Sequence, residues 1–79
     1  MKATIYTKDN CPYCVKAKAY LAKYDIEYEE IVIEKDITRE AFLKIVPNAR
    51  TVPQVFINDE LIGGWNELST YFDVQGHPI

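Results

Sequence analysis

Two cysteines, Cys11 and Cys14, stand where a strand-like pattern gives way to a helical one, and that junction constrains the fold more than any other feature. Upstream, residues 2–6 alternate in character and end in the β-favouring Thr4-Ile5-Tyr6, then run into the polar loop Thr7-Lys8-Asp9-Asn10. Downstream, residues 12–24 are rich in Ala and Lys. Cys14, Ala17, Leu21 and Tyr24 recur there at three- and four-residue steps, the spacing of one helical face. Pro12 suits the first turn, where no backbone donor is missed. The thiols therefore sit at a helix N-terminus, where unpaired N–H groups and the positive end of the helix dipole favour a thiolate, and Lys8 adds a nearby cation. Cys11 is the expected nucleophile. Cys14, one turn further in on the face that carries Ala17 and Leu21, is the expected resolving thiol.

Residues 26–33 predict a second strand, in which Ile26 and Tyr28 alternate with Glu27 and Glu29 before the apolar phase shifts to Ile31 and Ile33. A bulge near Glu29 and Glu30 would produce such a shift. Thr38 is placed to cap a second helix with Ala41, Phe42, Ile45 and Val46 to one side, closed by Pro47 and Asn48. Residues 54–57 and 61–62 read as a hairpin around the turn residues Asn58-Asp59. After Gly63-Gly64, a last helix presents Leu68, Tyr71 and Phe72 and stops at Gly76 and Pro78. The order β-α-β-α-β-β-α is that of an α/β fold. A strand-helix-strand unit demands parallel pairing and a hairpin antiparallel pairing, so a four-stranded mixed sheet with three flanking helices is expected.

The chain has 79 residues, 48% hydrophobic and 27% charged, and no repeat, linker or low-complexity stretch divides it, so residues 1–79 read as one soluble domain. Six Tyr, three Phe and one Trp supply apolar area that so short a chain needs, which argues against dependence on a disulfide staple. The start lacks a secretory pattern and no apolar run approaches membrane-spanning length; the expected compartment is the cytoplasm, without a membrane partner. In a reducing compartment a close cysteine pair is more often catalytic, redox-sensing or metal-binding than structural. The net charge of −3 argues against a nucleic-acid partner. A structural disulfide closing so small a loop would restrict the unfolded chain little. A zinc site lacks a second cysteine pair and has only His77, near the far terminus. Iron-sulfur binding by thiols pooled from two chains stays open on spacing alone.

In this order, Cys11-Pro12-Tyr13-Cys14, Thr51-Val52-Pro53 and Gly63-Gly64 resemble a dithiol glutaredoxin over nearly the whole chain. The resemblance implies the thioredoxin fold, and the tetrapeptide separates the chain from the thioredoxins, which usually carry Gly-Pro between the cysteines. It implies a glutathione-dependent oxidoreductase that reduces protein disulfides through both cysteines and glutathione mixed disulfides through Cys11 alone. It further implies that no cofactor is bound and that glutathione is the reducing co-substrate. The implied partners are glutathione and disulfide-containing or glutathionylated proteins, ribonucleotide reductase being a family-level candidate, and the chain is expected to be a monomer.

By the same resemblance, Pro53 follows a cis peptide bond beside Cys11, and the backbone of Val52, next to Thr51, pairs with substrate as an added strand. Gly64 and the free donors of Trp65 and Asn66 would hold the γ-glutamyl carboxylate of glutathione. Tyr13 would lie beside the tripeptide, and Lys8 near its glycyl carboxylate or the thiolate. Arg39 and Arg50 are further cations for that carboxylate. Two positions depart from the family pattern: Glu67 stands where Asp is common, and Trp65 is bulkier than the usual residue, which bears on contact to the glutathione amino group. Two other readings keep the fold, an electron donor reduced by thioredoxin reductase and a non-catalytic iron-sulfur carrier. Gly63-Gly64 and Tyr13 favour glutathione over the first, and Pro12-Tyr13 disfavours the second.

Overall fold

The alternation at the start of the chain forms a strand that ends up inside the sheet, with both of its faces covered. A computed structural model describes residues 2–74. Its elements are β1 (Lys2–Thr7), α1 (Pro12–Lys23), β2 (Glu27–Val32), α2 (Arg39–Ile45), β3 (Gln54–Ile57), β4 (Glu60–Gly63) and α3 (Trp65–Val74), in the expected order. The sheet runs β2-β1-β3-β4, with β1 parallel to β2 and antiparallel to β3, and β3 antiparallel to β4. On one face Ala3, Ile5, Val55 and Ile57 meet Ala17 and Leu21 of α1, Leu68 of α3, and Ile26. On the other, Tyr6 meets Phe42 and Val46 at α2, with Ile31, Ile33, Leu43, Val52 and Phe56 around them. None of the described helices is long and apolar enough to cross a membrane.

β2 contains no bulge at Glu29 and Glu30: its register with β1 is continuous from Lys2 opposite Glu27 to Thr7 opposite Val32. The shift in apolar phase has another cause. Tyr28 packs on the first core, whereas Ile31 and Ile33 pack on the second, so the strand serves opposite faces at its two ends. Glu30, on the same face as Tyr28, accepts hydrogen bonds from the Thr7 hydroxyl at 2.8 Å and the Lys18 ammonium at 3.0 Å. The one irregular register lies between Val55 and Phe56, against β4. Ile26 precedes β2 and Ile33 follows it, in an isolated bridge with Ile37.

Thr38 caps α2 as expected, its Oγ1 accepting from the Ala41 N–H at 3.1 Å. Ile45, however, is 45% exposed. Phe42, Leu43 and Val46 at positions i, i+1 and i+4 define the inward face, and Ile45 falls about 100° away from its centre. In the hairpin, Asn58 and Asp59 have φ of 51° and 68°, the left-handed pair that a two-residue turn requires, so β4 starts at Glu60 and is longer than expected. The turn is tied to β1: the Lys2 N–H donates to Asn58 Oδ1 at 3.2 Å and the Asn58 N–H to the Lys2 carbonyl at 2.9 Å. The Phe72 side chain, Gly76, His77 and Pro78 lie outside the described residues.

Leu21 is fully buried between α1, α3 and the sheet. Leu21→Ala is expected to lower unfolding free energy by about 2–5 kcal/mol in urea titration, whereas Val15→Ala, at a site 62% exposed, should change it by no more than about 0.5 kcal/mol. The Thr7 hydrogen bond, seconded by Lys18 and opposed by partial burial, holds the Glu30 carboxyl below the usual glutamate range. A lowered folded-state pKa gives stability that is full above the ordinary glutamate value and is lost as pH falls through the lowered one. The stability gap between the wild type and Glu30→Gln should therefore be widest near neutral pH and close on acidification, as measured by urea midpoints across a pH series.

Candidate active site

At the C-terminal end of β1, Asn10 with φ 57° turns the chain into α1, and Cys11 becomes the residue that caps the helix. Its backbone is extended, and its Sγ accepts from the Cys14 N–H at 3.2 Å. Sulfur thus takes the place that a serine or aspartate oxygen takes in other caps. Cys11 is partly exposed, while Cys14 is only 2% exposed. The two are joined as a disulfide with Cα atoms 5.2 Å apart.

The loop before β3 closes on this pair from a distant part of the chain. The Val52-Pro53 peptide is cis, and the Val52 carbonyl oxygen lies 3.8 Å from Cys11 Sγ. Gln54 Nε2 donates to the Thr51 carbonyl at 2.9 Å, which fixes the approach to the proline. Beside it, a cavity of about 380 Å³ is lined by Tyr13, Thr51, Val52, Pro53, Gly64, Trp65, Asn66 and Glu67. Lys8 is not in it. Lys8 lines an adjoining cavity of about 320 Å³ together with Arg39, Arg50 and Glu34, and Thr51 and Val52 form the wall common to both. The residues expected around the tripeptide thus line two cavities that share a wall, Tyr13 in one and Lys8 in the other.

The start of α3 explains the glycine at position 63. Gly63 has φ +125°, and a Cβ there would come within 2.9 Å of Glu67 Cγ; a Cβ on Gly64 would lie 3.4 Å from the Pro53 carbonyl oxygen. Glu67 Oε1 accepts from the Gly64 N–H at 2.9 Å, so its carboxylate folds back onto the helix start. Trp65 stands edge-on to Tyr20, with ring centroids 5.6 Å apart, and packs on the first core while its other side faces the cavity. The Lys16 ammonium lies 5.4 Å from the Tyr13 ring centroid and 5.9 Å from that of Trp65.

Sequence reasoning missed a third cavity, of about 620 Å³, on the other side of the cysteines. Thr7, Lys8, Asp9, Asn10, Lys18 and Glu30 line it together with Cys11 and Cys14. Two signals pointed to it: Lys18 is one helical turn beyond Cys14, and Glu30 shares the face of Tyr28. Among the described residues no three His, Cys, Asp or Glu side chains gather as a metal site.

The glutaredoxin family model matches residues 3–62. Glutaredoxin 1 of Rickettsia typhi is 46% identical over 66 residues, which span 81% of this chain and 64% of that one, so the chain accounts for under two thirds of that relative's length. The crystal structure of glutaredoxin 1 from Francisella tularensis, complexed with cacodylate, superposes with a TM-score of 0.80 at 36% identity, covering 98% of each chain. A buckwheat glutaredoxin, solved in complex with glutathione, superposes with a TM-score of 0.75 at 26% identity over 95% of this chain and 70% of that one. A match of this extent, in sequence and in backbone, shows that the chain takes the thioredoxin fold and belongs to the glutaredoxin family.

Proposed function

We propose that the protein is a glutathione-dependent thiol-disulfide oxidoreductase in which Cys11 attacks and Cys14 resolves. The observation that carries this reading is Cys11 at the cap of α1, its sulfur already accepting the Cys14 N–H. In the reduced protein the same N–H and the helix dipole stabilise a Cys11 thiolate. That thiolate attacks one sulfur of a substrate disulfide R–S–S–R′. A Cys11–S–S–R bond forms, R′–S⁻ leaves and takes a proton from solvent.

Two routes then diverge. In the dithiol route Cys14 loses its proton and attacks the Cys11 sulfur, which releases R–S⁻ and leaves a Cys11–Cys14 disulfide. One glutathione thiolate opens that disulfide to a Cys11–glutathione mixed disulfide, and a second attacks the glutathionyl sulfur, so that oxidised glutathione departs and the Cys11 thiolate returns. In the monothiol route Cys11 attacks the glutathionyl sulfur of a modified protein, the protein thiolate leaves, and one further glutathione completes the cycle.

Glutathione is favoured by the two cavities that share a wall and by the glutathione complex of the buckwheat relative. In this reading the γ-glutamyl carboxylate meets the N–H groups of Trp65 and Asn66. The tripeptide runs past Tyr13 along the backbone of Thr51, Val52 and Pro53, and its glycyl carboxylate meets Lys8, Arg39 and Arg50. Glu67 lies beside the γ-glutamyl end with its carboxylate engaged by Gly64.

With glutathione, its reductase and NADPH as the electron source, Cys14→Ser should lose reduction of protein disulfides at least tenfold but keep deglutathionylation within about threefold. Loss of both activities would contradict the division of roles, and faster turnover of the wild type with thioredoxin reductase alone would contradict the glutathione assignment. In the reduced protein, the alkylation rate of Cys11 against pH should show a midpoint at least about one unit below the ordinary cysteine value of ~8.5. An ordinary midpoint would remove the helix-end argument.

A further inference from the structure

Tyr13, Lys16 and Tyr20 fall at i, i+3 and i+7 of α1 and so line one edge of that helix, facing the start of α3. Tyr20 is fixed at both ends of its side chain: its hydroxyl donates to the Ser69 carbonyl at 3.1 Å, and its ring meets those of Tyr24 at 4.9 Å and Trp65 at 5.6 Å. Trp65 is thereby held in place, and it presents the second of the two rings against which the Lys16 ammonium rests. A lysine on a helix surface ordinarily samples many rotamers. Here two rings restrict it, which lowers the entropy cost of using its charge in recognition.

Among the described residues the charge has no acidic partner. Among the described residues the ion pairs are Lys18 with Glu30 and Lys35 with Asp9, and the nearby Glu67 carboxylate is engaged by the Gly64 N–H. Around Lys16 the surface is exposed and partly apolar, with Tyr13 at 54% and Val15 at 62%. The molecule as a whole carries a net charge of −3, so a cation held against Tyr13, within the Cys11–Cys14 segment, runs against the average surface. Lys8, Arg39 and Arg50 lie on the opposite flank, in the cavity beyond Thr51 and Val52, and do not share the Lys16 position.

We propose that Lys16, pinned between Tyr13 and Trp65, is a recognition point for a carboxylate side chain of a protein substrate, so that disulfides flanked by Asp or Glu are preferred. This rests on the reading of Cys11 as the attacking thiol and adds to it the class of substrate. In the mixed disulfide of the dithiol route the substrate peptide occupies the place along Tyr13 that glutathione takes later in the cycle, with an acidic residue reaching the Lys16 ammonium at the rim. The contact is partly exposed to solvent, so its effect is a modest factor that salt weakens.

The test uses two synthetic peptides closed by the same disulfide, one with Asp and one with Lys flanking its cysteines, assayed with the full chain in the presence of glutathione and its reductase. The readout is the ratio of kcat/KM for the two peptides within each protein, so that any change in basal activity cancels. The wild type should favour the acidic peptide by about threefold or more at low salt, with the ratio falling in 0.5 M salt. Lys16→Met should reduce the ratio, Lys16→Arg should retain most of it, and Lys16→Glu should shift it toward the basic peptide. Equal ratios in the wild type and Lys16→Met would overturn the assignment to Lys16. Absence of turnover of either peptide by the wild type would instead overturn the reading on which it rests.

Discussion

A strand buried on both sides must have apolar or satisfied side chains at every inward position and a hydrogen-bonding partner along each edge, and β1 meets both demands. Ala3 and Ile5 point to the α1 and α3 side, Tyr6 to the α2 side, while β2 and β3 take its two edges. The placement of the site follows. Parallel pairing with β2 requires a crossover, α1, which has to begin at the C-terminal end of β1. β3 runs the opposite way and so begins at that same end, which brings Val52 to Cys11 although 41 positions separate them. The cap of one helix and the entry to an antiparallel strand therefore meet at the top of one strand, the edge at which open α/β sheets usually place their chemistry.

What could be read from the sequence was what depends on near neighbours along it. The helices, the Thr38 cap and the Asn58-Asp59 turn follow from spacing and turn chemistry over a few residues. The change of apolar phase in β2 was misread because a bulge and a strand with one foot in each core give the same pattern; only the register with β1 separates them. Ile45 was misplaced because a helix of seven residues gives too few positions to define its inward direction. In the site, the cysteine pair was legible from its local setting, whereas the cavity beside Tyr13 joins three separate stretches of chain and was reached only through a resemblance. The trio Thr7, Lys18 and Glu30 escaped altogether, since a glutamate in an acidic strand reads as a solvated surface residue until its partners are seen.

The two departures from the family pattern have local explanations. Glu67 is one methylene longer than aspartate, and its carboxylate reaches the Gly64 N–H, so one of the orphan donors at the start of α3 is satisfied from within. Only glycine at position 63 leaves room for that side chain, because a Cβ there would press on Glu67 Cγ and Cβ. Trp65 has become a structural bridge as well as a cavity wall: it links the first core, through Tyr20, to the exposed rim where Tyr13 lies. Its bulk is used on both sides.

The outermost strand on the β2 side has a further effect on how this small sheet meets other chains. β2 pairs with β1 along one edge; along the other, Asp36 closes off Val32, accepting its N–H at 2.9 Å and donating to its carbonyl at 2.7 Å, and no described strand covers the residues before it. Glu27 and Glu29, both exposed, project from one face of that outer stretch of β2. A second copy docking edge to edge would set these carboxylates close to their own counterparts, and the repulsion would oppose growth of the sheet in that direction. Glu27 and Glu29 thus serve as an electrostatic guard on the open part of this flank, away from the end of the sheet where the cysteines lie.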